Sequence, residues 1–486
     1  MVYFTFDYVI KILNIKRFYL FLLIGVVLPS WADTPLPDFG NPADSVLTRS
    51  QEAQLGRQVL RQLRSAGAIV EDPQLHEYIQ TLGATLAAHA HDGEYQFEFF
   101  AVNDDAINAF ALPGGYIGVN VGLIQASETE SELAGVLAHE IAHVTQRHIA
   151  RSVYDNQRSS ILSVAAMLAA VLLGAASDTG GDAMQGILTA SQAATVQRQI
   201  DFTRSNEFEA DRIGMETLYS AGFDPAGMAS FFEKLSRRYG LARQKVPPFL
   251  QTHPVTSERI AGSRNRVRQL PNVNTHNTLG YELTKTRLTA LSAPSAEAAY
   301  ALFQDRLEKN DTPTNRYGMA LSLARWGRND HAEEIFKTLS EEEPGVIAYR
   351  ISLGESLMTS GSTDVALTGY ADAINLFPRN VPLTISYAKA LISAEEPSQA
   401  HKILLDLLNN VPPTPEQIRL IARAANAEGD VGNAQHYMSE YYIMTGNLPL
   451  AINQLRMAIE SPGVNPVDLA RYQARLDDLI EVMSED

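Results

Sequence analysis

Cysteine is absent from this 486-residue chain, which excludes disulfides, thiolate metal sites and a cysteine nucleophile. Any metal must therefore be held by His, Asp or Glu. Basic residues are few: 39 Lys and Arg stand against 56 Asp and Glu, a net charge of −17 at pH 7. That balance argues against nucleic acid as a partner, because phosphate binding needs a basic face. Long apolar runs are also lacking. The run Phe18–Leu28 falls short of the roughly 20 residues that a membrane span requires. What is present, 45% apolar and 20% charged residues, is ordinary for a folded protein. The length exceeds one compact core and implies two or three domains.

The amino end reads as an export signal. Lys11, Lys16 and Arg17 precede the apolar run, and Pro29 breaks it. Ser30-Trp31-Ala32 then puts small residues at the two positions a signal peptidase reads. Residues 1–32 are expected to be a signal peptide cut after Ala32; the competing reading is an uncleaved anchor lengthened by Met1–Ile10. The mature chain is accordingly expected in the periplasm.

Two textures follow, and the expected fold class is mainly α. Over 33–288 the chain mixes helical stretches (Ala43–Arg64, Pro73–His89) with strand-like ones. Tyr95–Val102 alternates as a strand does, and Pro113-Gly114-Gly115 marks a bend within Ala109–Val121. Ser127, with Glu130 three residues on, is expected to cap a helix running to about Ala150. This is an α+β domain with a small sheet. Over 293–486 the pattern is wholly helical and repeats. Ala332, Ala366, Ala400 and Ala434 fall 34 residues apart, as do Pro344, Pro378 and Pro412. Gly354, Tyr370 and Ala373 occupy the small and aromatic positions of a tetratricopeptide helix pair. Gly446, Ala451, Leu455 and Ala458 match half a repeat out of phase, so one helix is expected to serve two neighbouring pairs. Such stacks build a groove that holds other proteins.

The chemistry is concentrated in His139-Glu140-Ile141-Ala142-His143. On a helix, positions four apart share a face, so both imidazoles reach one ion. Glu140, about 100° round, lies beside that face and is placed to take a proton from water. A catalytic zinc needs a third protein ligand and an open position. The stretch Ser205–Gly214 supplies a second helix, capped by Ser205, with Glu207 and Asp211 four apart on one face. Glu207 is the expected third ligand, and Asp211 the acceptor for a ligating histidine N–H. Glu209 points elsewhere and is the weaker choice; an acidic solvated face is the bland alternative for Glu207 and Asp211.

The pair HEIAH (139–143) and NEFEADRIG (206–214) resembles the M48 family of zinc metallopeptidases over roughly residues 45–270. The resemblance implies one zinc ion per chain on His139, His143 and Glu207, Glu140 as catalytic glutamate and Asp211 as support. With the export signal and repeat tail it further implies outer-membrane protein quality control, with unfolded or misassembled outer-membrane proteins as clients. The β-barrel assembly machinery is then the expected partner of the repeats.

Three roles stay open for His253, in Thr252-His253-Pro254: a removable latch on the metal, a hydrogen bond to the tetrahedral intermediate, or a turn before the helix at Ser257. His148 falls off the ligand face and reads as surface or as support behind the ligands. Residues 161–176 form an apolar stretch, too short to span, that reads either as a cover over the cleft with peripheral membrane contact or as a core helix. The expected reaction is peptide hydrolysis, with substrate extended along the sheet edge at Ala109–Asn120. The rival reading is a non-proteolytic chaperone or scaffold acting through the repeat groove.

Overall fold

A computed structural model describes residues 45–90, 95–156, 204–239, 246–273 and 275–485, which belong to one compact unit. The expected signal peptide and the stretch 161–176 lie outside these residues. Among the described residues no helix is long and apolar enough to cross a membrane.

Helix α1 (Arg49–Ser65) starts on a capping box, Thr48 and Gln51 each accepting from the other's backbone N–H. In α2 (Pro73–Ala87), the Asp72 carboxylate accepts from the N–H groups of Gln74 and Leu75. Three strands follow: β1 (Glu98–Val102), β2 (Ala109–Leu112) and β3 (Tyr116–Asn120). β3 is central, parallel to β1 and antiparallel to β2. The strand expected from Tyr95 begins only at Glu98. The expected bend is the β2–β3 hairpin turn, where Gly114 and Gly115 hold φ of 82° and 96°. Those angles are easy only for glycine.

The short α3 (Val121–Ala126) leads into α4 (Glu130–Thr145), which carries the HExxH residues and is buried along its whole length. The expected cap at Ser127 is corrected here. Ser127 terminates α3, its hydroxyl donating to Ile124 O, and Thr129 caps α4 by accepting from Glu132 N. The intervening α3 uses Ser127 first. Then come α5 (His148–Asn156), α6 (Arg204–Ser220), α7 (Ala226–Tyr239), α8 (Pro248–Thr252) and α9 (Ser257–Val267). Ser205, expected to cap α6, lies inside it.

The core joins α4 (Leu133, Val136, Leu137, Ile141) to the sheet and to Phe231 and Phe232 of α7. α6 lies against α4 because residue 214 is glycine. A Cβ there would come within 3.0 Å of the backbone at Ala138 and His139. That close approach brings the acidic face of α6 to the histidines.

The remaining helices are α10 (Leu279–Ser292), α11 (Ala296–Lys309), α12 (Pro313–Arg325), α13 (Asn329–Glu342), α14 (Ile347–Ser360) and α15 (Thr363–Leu376). They continue with α16 (Val381–Ser393), α17 (Pro397–Leu408), α18 (Pro415–Ala427), α19 (Val431–Met444), α20 (Leu448–Ile459) and α21 (Pro466–Glu485). The 34-residue phase is visible in them. Ala332, Ala366, Ala400 and Ala434 are buried at the start of α13, α15, α17 and α19, and the three prolines lie in the links after α13, α15 and α17. At Gly354 a Cβ would sit 2.3 Å from the Tyr370 ring, so the α14–α15 contact needs glycine there. α19 packs on both α18 and α20, as the half-phase match predicts.

Helix α10 contributes to both halves. Its Tyr281 belongs to the core around α4 and the sheet, whereas Leu283 and Ala290 pack with Tyr317 and Phe336 of the repeats. Arg287 of α10 pairs with Asp72 at 2.8 Å, and Asn380 donates to Glu77 at 2.7 Å. The overall architecture is mainly α, as expected.

Candidate metal centre

One turn apart on α4, His139 and His143 turn their Nε2 atoms toward each other at 2.9 Å. From α6, Glu207 places its carboxylate oxygens 3.6 Å from His139 Nε2 and 3.5 Å from His143 Nε2. His253, just after α8, completes the cluster with Nδ1 3.0 Å from Glu207 Oε1 and 3.4 Å from His139 Nε2. One donor atom from each of these four buried residues lies within 4.8 Å of all the others. Two ring nitrogens that face each other and a carboxylate suit a shared cation. Imidazole nitrogen with carboxylate oxygen is a zinc-type donor set.

The electrostatics favour a neutral His143 and an ionised Glu207, but the charged form of His253. Burial, with the neighbouring His139, His253 and His148, pushes His143 well below the usual imidazole range. Burial would raise Glu207, but His253, His139 and Arg259 outweigh it and hold its carboxyl low. Burial pulls His253 down, yet Glu207 and Glu140 prevail and hold it above its ordinary value.

Glu140 is fully buried beside the cluster, with Oε1 3.6 Å from His253 Nε2. Neither of its oxygens accepts a hydrogen bond within the described protein. A buried carboxylate without donors is costly unless something else uses it. His139 Nδ1, on the ring's far side, lies 3.0 Å from Asp211 Oδ1, short of an aligned hydrogen bond. The structure thus brings together every expected site residue: His139, Glu140, His143, Glu207, Asp211 and His253.

Known proteins resemble this chain in sequence. Residues 72–267 match Peptidase family M48. The beta-barrel assembly-enhancing protease of Escherichia coli K12 is 35% identical over 94% of each chain. The putative beta-barrel assembly-enhancing protease of Vibrio cholerae is 36% identical over 92% of each. The chain belongs to peptidase family M48. As a member of that family it is a metalloprotease, and the cluster is its metal site candidate. A more distant relative, the mitochondrial metalloendopeptidase OMA1 of Arabidopsis thaliana, is 28% identical over 45% of this chain and 42% of its own length.

One member of this M48 site was not legible in the sequence. Arg259, buried in the first turn of α9, places Nε and Nη2 each 2.7 Å from Asp211 and Nη1 2.6 Å from Glu207 Oε2. Nη1 also donates to Pro254 O, next to His253, at 3.0 Å. Against the pull of burial, this guanidinium and His139 take Asp211 down to about 2. A cation in the first turn of a helix opposes the macrodipole, and that anomaly was the available signal. Of the two places expected for His148, the surface is excluded, since it is fully buried behind His143. Glu209 faces His148, at 3.1 Å, and not the metal cluster.

Proposed function

We propose that this chain is a periplasmic zinc metalloendopeptidase that degrades misfolded or stalled outer-membrane proteins and aids their assembly, with client binding by its repeats. The observation that carries the hydrolytic reading is the convergence of His139, His143 and Glu207 beside the undonated Glu140 carboxylate. His139, His143 and Glu207 would hold one zinc ion per chain. When bound, that ion supplies Lewis acidity toward water and the scissile carbonyl.

The side chains divide the remaining work. A Glu140 oxygen takes a proton from the attacking water as its oxygen adds to the carbonyl carbon. The same carboxyl then gives that proton to the leaving nitrogen as the C–N bond breaks. Asp211, held by Arg259, keeps the His139 ring oriented. Of the expected edge Ala109–Asn120 only β2 lies at the rim of the sheet, β3 being central, so an extended substrate can add alongside β2 through main-chain hydrogen bonds. Such binding reads backbone more than side chains and suits unfolded clients. The assembly role rests on the names of the 35–36% identical relatives. The repeat groove would raise the local concentration of a client or of the β-barrel assembly machinery. Export to the periplasm rests on the signal-like residues 1–32, and the apolar composition of residues 161–176 makes that stretch the candidate for a peripheral membrane contact.

The position of His253 on Glu207 and His139 supports a latch that fills the open coordination position; stabilising the tetrahedral intermediate is the competing role. In the test, Glu140→Gln should retain zinc and lose cleavage of an unfolded outer-membrane protein by about 10²-fold or more. Cleavage at the wild-type rate would refute the enzyme reading and leave the scaffold one. His253→Ala should cleave faster with zinc retained if His253 is a latch, and slower if it stabilises the intermediate.

A further inference from the structure

On the side of His143 away from the cluster, Nδ1 lies 2.9 Å from Nδ1 of His148. A continuous helix would not produce that contact, since five residues of α-helix leave two side chains about 140° apart. The chain departs from the helix instead. α4 ends at Thr145, and Arg147 takes the left-handed conformation, φ 55°, which turns His148 back beneath His143. Arg147 is itself buried and held in that conformation. Its Nη2 donates to Leu47 O at 2.6 Å, and its Nε lies 3.2 Å from Glu52 Oε2. A non-glycine residue in this region, anchored at both ends of its guanidinium, marks a turn the surrounding structure enforces.

The partners of His148 fix where its proton sits. Nε2 lies 3.1 Å from Glu209 Oε2, and Arg151 Nη1 lies 2.9 Å from the same oxygen. An ionised carboxylate only accepts, so Nε2 of His148 carries the hydrogen. Of two ring nitrogens 2.9 Å apart one donates and one accepts, and a His143 that binds metal through the Nε2 facing His139 and Glu207 carries its hydrogen on Nδ1. That Nδ1–H donates to Nδ1 of His148, whose own hydrogen sits on Nε2 toward Glu209.

We propose that His148, held by Glu209 and the left-handed turn at Arg147, is the positioning residue that fixes the tautomer and orientation of His143 as a metal donor. This rests on the reading of His143 as a ligand. It assigns to an imidazole the task that Asp211 performs for His139, because outer partners of a ligating histidine set its ring and raise its basicity.

The test is zinc affinity of the full chain, measured by competition with a chromophoric chelator, beside the thermal unfolding of the zinc-free protein. His148→Leu should raise the zinc Kd by about 10–100-fold. His148→Asn, whose Oδ1 accepts in place of Nδ1, should restore most of the affinity, and purely structural packing would not follow that order. Glu209→Ala, half-way to the surface, should give a smaller rise with unchanged unfolding, and it carries the test if His148→Leu does not fold. Wild-type Kd in both Glu209→Ala and folded His148→Leu overturns the proposal, as does equal weakness of His148→Asn and His148→Leu. Wild-type Kd in His143→Ala would instead overturn the metal site itself.

Discussion

In the repeats, the positions that decide the structure are small or aromatic and recur: Ala332, Ala366, Ala400 and Ala434 are buried on one phase, and Gly354 receives Tyr370. Around α4 they are charged or polar and occur once. His139, Glu140, His143, Glu207, Asp211 and Arg259 are all buried and face partners from other elements, although the Glu140 oxygens and His139 Nδ1 make no aligned hydrogen bond. Repetition makes a shape by identical close approaches. Chemistry is made by a few unlike groups whose burial is tolerable only in each other's company. Damage should therefore be local in the repeats and collective at the site.

The largest effect on stability should come from Arg259→Ala. It leaves the buried Asp211 and Glu207 carboxylates without their cation, and removing one partner of a buried pair costs about 3–5 kcal/mol. Denaturant unfolding should show this loss together with lost zinc affinity; full affinity with wild-type stability would break the contrast drawn here. A smaller effect is expected from Gly354→Leu. Overpacking against Tyr370 costs about 1–3 kcal/mol, offset in part by about 0.8–1 kcal/mol of helix propensity. Capture of unfolded clients should fall while cleavage of a short peptide persists, as paired binding and peptidase assays would read.

The smallest effect is a pH slope in the repeats. Burial, and then Arg471, lower His436 to about 4, while Glu440 and Asp468 oppose and Arg475 assists. The unfolded chain, with an imidazole near its ordinary 6.5, then binds more protons than the folded one between those values. Stability contributed by this group is complete above about 6.5 and is lost as pH falls toward 4. His436→Phe keeps the stacking on Tyr472 and should flatten that part of the stability–pH curve. An unchanged slope would show that His436 titrates normally in the folded state.

The spacing of four between His139 and His143, and again between Glu207 and Asp211, made the ligand faces legible because a helix puts such residues on one side. The 34-residue alanines were legible for a related reason: each repeat must bury the same small residue. What escaped was set by chain reversals and long-range contacts. His148 was read with the phase of a continuous helix, and the left-handed Arg147 broke that phase. Nothing in an arginine's identity announces such a conformation. Arg259 meets Asp211 across 48 residues, through the packing of α9 on α6, and no local period encodes that. Ser127 and Thr129 both had capping chemistry, and only the length of α3 decided between them.

The central claim is that α4 and α6 meet around one cation. Zinc titration of the full chain and of Glu207→Gln tests it most directly, since the substitution preserves shape while removing the charge of the donor from α6. The account predicts one equivalent bound tightly by the wild type and a Kd raised by at least about 10²-fold in Glu207→Gln, with the fold intact. Equal, stoichiometric binding by both would contradict it.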